Sequence, residues 1–163
     1  MKHFKILAAA VFACAALVFS SCEKGVTNTI DYSGNLYGVW QLDSKTVDRE
    51  TTNIKETDFE GEHFYLALLP IVAFAKKGAL TAADFKIDVD GTVYSYNDVD
   101  HLISFNKALV LSHGPDEVMR LSGTYEVKEL SKDRLILSKE VGSSITKYTY
   151  HKLFQQEEIE NKQ

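Results

Sequence analysis

The chain has little cysteine, and both of its cysteines lie near the N-terminus. Cys14 and Cys22 are the only two in 163 residues. From Glu23 onwards no thiol is available for a disulfide, a thiolate metal site or a cysteine nucleophile. The rest of the chain must be held together by packing, and Leu36 to Phe154 is long enough to bury a sizeable core.

Basic residues are outnumbered by acidic ones. The sequence has 18 Lys and Arg against 23 Asp and Glu, which gives a formal net charge of −5. An acidic domain is a poor candidate for binding nucleic acid or an anionic membrane surface. We therefore expect no nucleic-acid partner.

The sequence also lacks an apolar run long enough to span a membrane. The longest, Ile6 to Phe19, is shorter than the ~20 residues that a spanning helix needs. Two lysines precede it, and the small residues Ser20 and Ser21 lead from it to Cys22. This order is typical of a secretory signal peptide.

Phe19-Ser20-Ser21-Cys22 resembles the lipobox of bacterial lipoproteins, although Phe19 stands where a branched aliphatic residue is usual. The resemblance implies removal of residues 1–21 and acylation of Cys22 by chains such as palmitate. Each buried CH₂ contributes ~0.8 kcal/mol, so several chains anchor firmly. Glu23 is not the aspartate that resembles an inner-membrane retention signal, and we expect the outer membrane of the cell envelope. An ordinary cleaved signal peptide and an uncleaved anchor are the alternatives.

Composition divides the remaining chain into three parts. Residues 22–35 are rich in Gly, Ser, Thr and Asn, which is typical of a flexible tether. Residues 36–154 form one domain. Residues 155–163 are almost wholly polar and predict a fraying tail.

Most of the 36–154 domain alternates with a period of two, which predicts strands. Asp90-Gly91 is a hairpin signal, and pairing across it would place Phe85 opposite Tyr96 and Ile87 opposite Tyr94. Met119 to Val127 alternates as well. Short strands spaced by turns predict a mainly all-β fold, an up-and-down antiparallel β-barrel of about eight to ten strands.

One segment departs from this alternation. Phe64 to Phe74 is nearly unbroken apolar sequence. Pro70 stands where a first helical residue would, and Gly78 where a helix would end. We therefore predict a strand over Phe64 to Leu68 and then a short inserted helix near 71–77 that closes one end of the barrel.

Gly38-Val39-Trp40 on the first predicted strand resembles the glycine-x-tryptophan signature of lipocalins and of lipocalin-like domains in bacterial lipoproteins. The resemblance implies that Gly38 and Trp40 are structural, that the tryptophan plugs the closed end, and that a basic residue covers its ring. On the last strand, Lys147 and Lys152 are the candidates.

The sequence is rich in aromatic residues, with nine Phe and eight Tyr. In a lipocalin-like barrel, such side chains fill the interior or line a cavity for a small apolar or aromatic ligand. The candidate ligand-lining residues are Phe85, Ile87, Tyr94, Tyr96 and Tyr125.

Signatures of catalysis are absent. Asp58, Glu60 and Glu62 would share a strand face, but a solvated acidic face explains them. Ser112-His113 with Asp116 surrounds a turn, and the histidines have no metal-ligand spacing. We therefore expect no enzyme, metal or cofactor. The sequence favours a lipid-anchored protein that binds a small apolar ligand, and the alternative is a non-enzymatic interaction or scaffold lipoprotein acting through its outer surface.

Overall fold

The computed structural model describes residues 30–54, 59, 61–85 and 91–155, and strands account for most of them. The strands are β1 (Gly38–Val47), β2 (Glu50–Asn53), β3 (Phe64–Leu68), β4 (Val72–Lys77), β5 (Thr92–Asn97), β6 (Leu102–His113), β7 (Asp116–Leu130), β8 (Arg134–Val141) and β9 (Ser144–Gln155). One turn of 3-10 helix covers Ala82–Phe85. Within these residues, no helix has the length and apolar character needed to cross a membrane.

Eight of the strands close into an antiparallel barrel. From β3 to β9 each strand pairs with the next, and β1 joins β3 to β9 and closes the ring. The short β2 continues from β1 as a hairpin and pairs with its C-terminal half. The predicted up-and-down antiparallel barrel is therefore confirmed.

The barrel interior is a continuous apolar core. Alternate side chains of β7 point inward, as the sequence predicted, with Leu121, Tyr125 and Val127 buried. The largest fully buried side chains include Trp40, Leu42, Phe64, Ile103, Met119, Leu135, Leu137 and Tyr150. Removing such a side chain leaves a cavity that costs about 2–5 kcal/mol, so these residues hold the barrel together without a disulfide.

The segment predicted as a helix near 71–77 is strand β4, so that prediction was wrong. Leu66 of β3 pairs with Ala75 of β4, and Pro70 lies in the turn between the two strands. All five residues of β3 are buried, because a second apolar cluster covers the outer face of the barrel here. Two buried faces remove the alternation that identifies a strand.

That outer cluster contains Phe85, which the sequence placed beside Tyr96. Phe85 instead ends the 3-10 turn and packs on Phe74, with ring centroids 5.9 Å apart. Tyr96 pairs with Ile103 of β6. The proposed partner strand at 86–90 lies outside the described residues.

Residues 30–37 run across the end of the barrel where β1 begins. The backbone N–H of Gly34 donates to the Leu130 carbonyl, and the N–H of Leu130 donates to the Asp31 carbonyl. The composition of the sequence predicted a tether over residues 22–35, but residues 31 to 35 are part of the folded domain because these hydrogen bonds join them to β7. Residues 22–29 lie outside the described part of the chain.

We predict that Gly38→Ala destabilises the barrel by about 3 kcal/mol or more. Gly38 has φ of +142°, and a Cβ there would lie 2.3 Å from the Phe154 carbonyl oxygen of β9. Gly142→Ala is the matched control, because φ there is +64° but nothing lies within 4 Å. The control should cost only about 1 kcal/mol. Equal losses in urea unfolding would contradict the steric role of Gly38.

Candidate functional site

Trp40 plugs the end of the barrel that residues 30–37 cross. Its side chain is fully buried, and Nε1 donates to the Leu36 carbonyl at 2.9 Å. Of the two candidate lysines, Lys152 covers the ring, with Nζ 4.5 Å from the ring centroid. Lys152 Nζ also donates to the Asn35 carbonyl. Burial lowers the pKa of Lys152, and Asp133 opposes that shift.

A cavity of about 700 Å³ opens beside this plug. We call it the tyrosine cavity. Its lining includes Tyr32, Tyr37, Pro70, Tyr94, Tyr96 and His101. Its walls come from residues 30–37, from the β3–β4 turn and from β5 with the turn that follows it. Its volume lies within the range of small-molecule sites.

Tyr32 and His101 form one wall of the tyrosine cavity. Their rings stack with centroids 3.6 Å apart and planes 1° apart. His101 has φ of +53°, a conformation that is uncommon outside glycine. Its Nδ1 is the only buried side-chain nitrogen or oxygen of the described residues without a hydrogen-bond partner. Such an atom in a native structure calls for an explanation.

Tyr94 and Tyr96 bring two of the predicted ligand-lining residues to this cavity. The Tyr94 hydroxyl donates to the Leu69 carbonyl at 2.6 Å, which ties β5 to the β3–β4 turn. Burial raises the pKa of Tyr94 well above its ordinary value, so the hydroxyl stays a donor. Tyr96 is only partly buried, and burial raises its pKa as well.

The other predicted lining residues do not join Tyr94 and Tyr96. Tyr125 lies in the recess at the opposite end of the barrel. Its hydroxyl donates to the Arg120 carbonyl at 2.7 Å, and burial raises its pKa to about 12. Phe85 packs on the outer face. Ile87 lies outside the described residues.

A row of aromatic rings fills the barrel interior between its two ends. Successive centroids are 6.1 to 6.4 Å apart along Tyr94, Phe105, Tyr125, Tyr148 and Tyr150. Such offset and edge contacts add about 0.5–1.5 kcal/mol per pair beyond burial. The centre of the barrel is thus packed with side chains, and room for a ligand lies at its ends.

Histidines and acids elsewhere form pairs rather than a catalytic constellation. His113 Nδ1 lies 2.5 Å from Glu62, which also binds Lys77 Nζ at 2.7 Å. Both contacts lower the pKa of Glu62, and the contact with Lys77 has the larger effect. His151 Nδ1 lies 2.6 Å from Asp43. Within the described ranges, no three His, Cys, Asp or Glu side chains are placed to hold a metal ion.

Sequence reasoning missed Tyr32, Tyr37 and His101. The two tyrosines lie in or next to the segment whose composition predicts a tether, and nothing in its sequence predicts docking. His101 looked like an ordinary turn histidine. Its positive φ and its stacking partner are visible only in the folded chain.

Comparison of the chain with protein-family models, curated proteins and solved structures found no match.

We predict that Lys152→Met destabilises the protein by about 1–2 kcal/mol, because it removes the cation over Trp40 and the bond to Asn35. Lys147→Met is the control, since Lys147 lies on the same strand but on the opposite face. The control should stay within about 0.5 kcal/mol of the unmodified protein. Urea unfolding followed by Trp40 fluorescence measures both, and equal effects would refute the role of Lys152.

Proposed function

We propose that this protein is a lipid-anchored binding protein of the cell envelope that holds a small apolar or aromatic ligand in the tyrosine cavity. The observation that carries the proposal is the cavity itself, about 700 Å³ beside the Trp40 plug. Ligand sites typically have volumes of about 300–1,000 Å³, and the tyrosine cavity, which opens widely to solvent, sets its aromatic rings among polar groups.

The walls favour a ligand with a flat apolar part. The Tyr32–His101 stack presents an aromatic surface, and Tyr94 and Tyr96 contribute further rings. Because the Tyr94 hydroxyl is already bonded to Leu69, its ring is the part free to contact a ligand. Aromatic rings pair best in offset or edge-to-face geometry.

The unpaired Nδ1 of His101 supports the same site. A buried polar atom without a partner costs about 1–3 kcal/mol, and we propose that the His101 ring turns on binding so that Nδ1, which is shielded from solvent in the free protein, meets a ligand group. The ligand we propose therefore carries a polar group at the edge of its apolar part. His101 would act as donor or acceptor, depending on its tautomer.

Anchoring by lipid rests on the sequence. The signal-like N-terminus leads to Cys22, and residues 30–37 enter the domain beside the Trp40 plug. We propose that acyl chains on Cys22 attach the domain to the outer membrane. The protein needs no enzymatic activity for this role.

The ligand test is native mass spectrometry of the full-length protein purified from its own envelope. We expect a co-purified small molecule that is lost in Tyr96→Ala and retained in Tyr96→Phe, because we propose that the Tyr96 ring packs against the ligand. Circular dichroism checks that both variants fold.

Two outcomes contradict this site. One is the absence of any bound small molecule. The other is a molecule that Tyr96→Ala retains at the unmodified occupancy. A protein that co-purifies in place of a small molecule would favour the interaction or scaffold function. Exposed Ile71 and Val93, 69% and 51% accessible and near the pairing of β4 with β5, are where such a partner would bind.

The anchoring prediction concerns Cys22→Ser. We expect the unmodified protein to begin at an acylated Cys22 and to partition into detergent, and the variant to lose the acyl mass. Cys14→Ser is the matched control, because Cys14 lies within the proposed signal and its loss should leave acylation intact. Intact-mass measurement and phase partition provide the readout. An unmodified protein whose mass carries no acyl chains would rule out the lipid anchor.

A further inference from the structure

A second recess, of about 310 Å³, lies at the barrel end opposite Trp40. We call it the cationic recess. Its lining includes Lys45, Arg120 and Lys139, a single carboxylate, Glu117, and the rings of Tyr125 and Tyr148. Three cations against one carboxylate is the reverse of the charge balance of the chain as a whole, whose net charge is −5.

A β-bulge turns Lys45 toward the recess. The register between β1 and β9 shifts between Leu42 and Ser44, and a bulge changes which side chains of a strand face inward. Lys45 then pairs with Tyr148, which is only 2% exposed and points into the barrel. Directly paired residues lie on the same face, so Lys45 points inward.

Lys139 reaches the recess by simple alternation along β8. It follows Leu137, a fully buried residue, by two positions and pairs with Thr146. Gly123 on β7 lies beside it, since a Cβ at Gly123 would be in ordinary contact with Lys139 Nζ at 3.4 Å.

Backbone carbonyls and tyrosine rings, rather than carboxylates, hold both ammonium groups. Lys45 Nζ donates to the Glu117 carbonyl at 2.9 Å, and Lys139 Nζ donates to the Ser122 carbonyl at 2.5 Å. Lys139 Nζ also lies 5.2 Å from the Tyr125 ring centroid. An ammonium has three donors, so each lysine keeps donors for a further acceptor.

The one carboxylate of the recess is already occupied. Arg120 binds Glu117 through both Nε and Nη2, at 2.7 and 2.6 Å. That contact holds the pKa of Glu117 below its ordinary value, and Lys45 adds a smaller effect. Neither lysine therefore forms an ion pair with a carboxylate among the described residues.

We propose that the cationic recess binds the carboxylate or phosphate group of a small organic anion between Lys45 and Lys139, with its apolar part against Tyr125 and Tyr148. Charge-assisted hydrogen bonds to such groups are the strong ones. A soluble metabolite or a lipid head group could present this chemistry. The site is separate from the tyrosine cavity and stands without it.

The experiment measures binding of hexanoate, inorganic phosphate and phosphatidylglycerol vesicles to the full-length protein, by NMR titration for the first two and by flotation for the vesicles. The test variant is Lys45→Met with Lys139→Met. The control is Lys107→Met with Lys147→Met, which removes the same charge from the outer surface. The dissociation constant should rise about tenfold or more in the test variant only, and added salt should weaken binding.

Each outcome decides the proposal. Loss of hexanoate or phosphate binding in the test variant alone supports a free anion, and loss of vesicle binding in the test variant alone supports a lipid head group. Equal losses in both double variants, or no binding of any probe, would overturn the proposal. The two single lysine variants, with circular dichroism, separate loss of binding from loss of fold. Retention of hexanoate binding in Tyr96→Ala distinguishes this site from the tyrosine cavity.

Discussion

Pairing of β1 with β9 is the interaction on which the rest of the structure depends. β9 follows β1 over its whole length, while β3 and then β2 occupy the other edge of β1. The two strands are far apart in sequence, and closing such a long loop costs conformational entropy. Closure removes both free edges of an eight-stranded sheet, and it also brings Lys152 over Trp40. The pairing also requires a glycine at position 38, because the backbone of β9 passes where a Cβ would be.

The irregularities in this pairing decide the chemistry of the two ends. The bulge after Leu42 turns Lys45 inward, and a second register shift, between β6 and β7, lies next to Gly123, which lies beside Lys139. Bulges are common at barrel rims and next to binding sites, where they re-aim side chains. At the Trp40 end, residues 30–37 dock on the barrel and form a wall of the tyrosine cavity. The filled interior separates the ends, so each can carry its own ligand chemistry.

The barrel could be predicted from the sequence because most of its strands alternate between a core face and a water face. β7 illustrates this well, with Leu121, Tyr125 and Val127 inward. Prediction failed at β4, which was expected to be a helix, because a second apolar cluster buries the outer face there and hides the alternation. The candidate site was only partly predictable. The aromatic content of the sequence pointed to Tyr94 and Tyr96. The stacking of Tyr32 on His101 depends on tertiary contacts. The inward turn of Lys45 depends on a register shift, and the local sequence pattern encodes neither.

The two ends also differ in their relation to the proposed lipid anchor. The chain enters the domain at the Trp40 end, since Asp31 and Gly34 are bonded to Leu130 there. Acyl chains on Cys22 would therefore attach the domain through the end that carries the tyrosine cavity. That arrangement favours an apolar ligand that arrives from, or leaves to, the bilayer. The cationic recess opens at the far end of the barrel, away from the attachment point. Because salt screens charges beyond a Debye length of ~8 Å, its lysines attract dissolved anions and not the anchoring membrane. Of the two sources of an anion, a soluble one fits this geometry better.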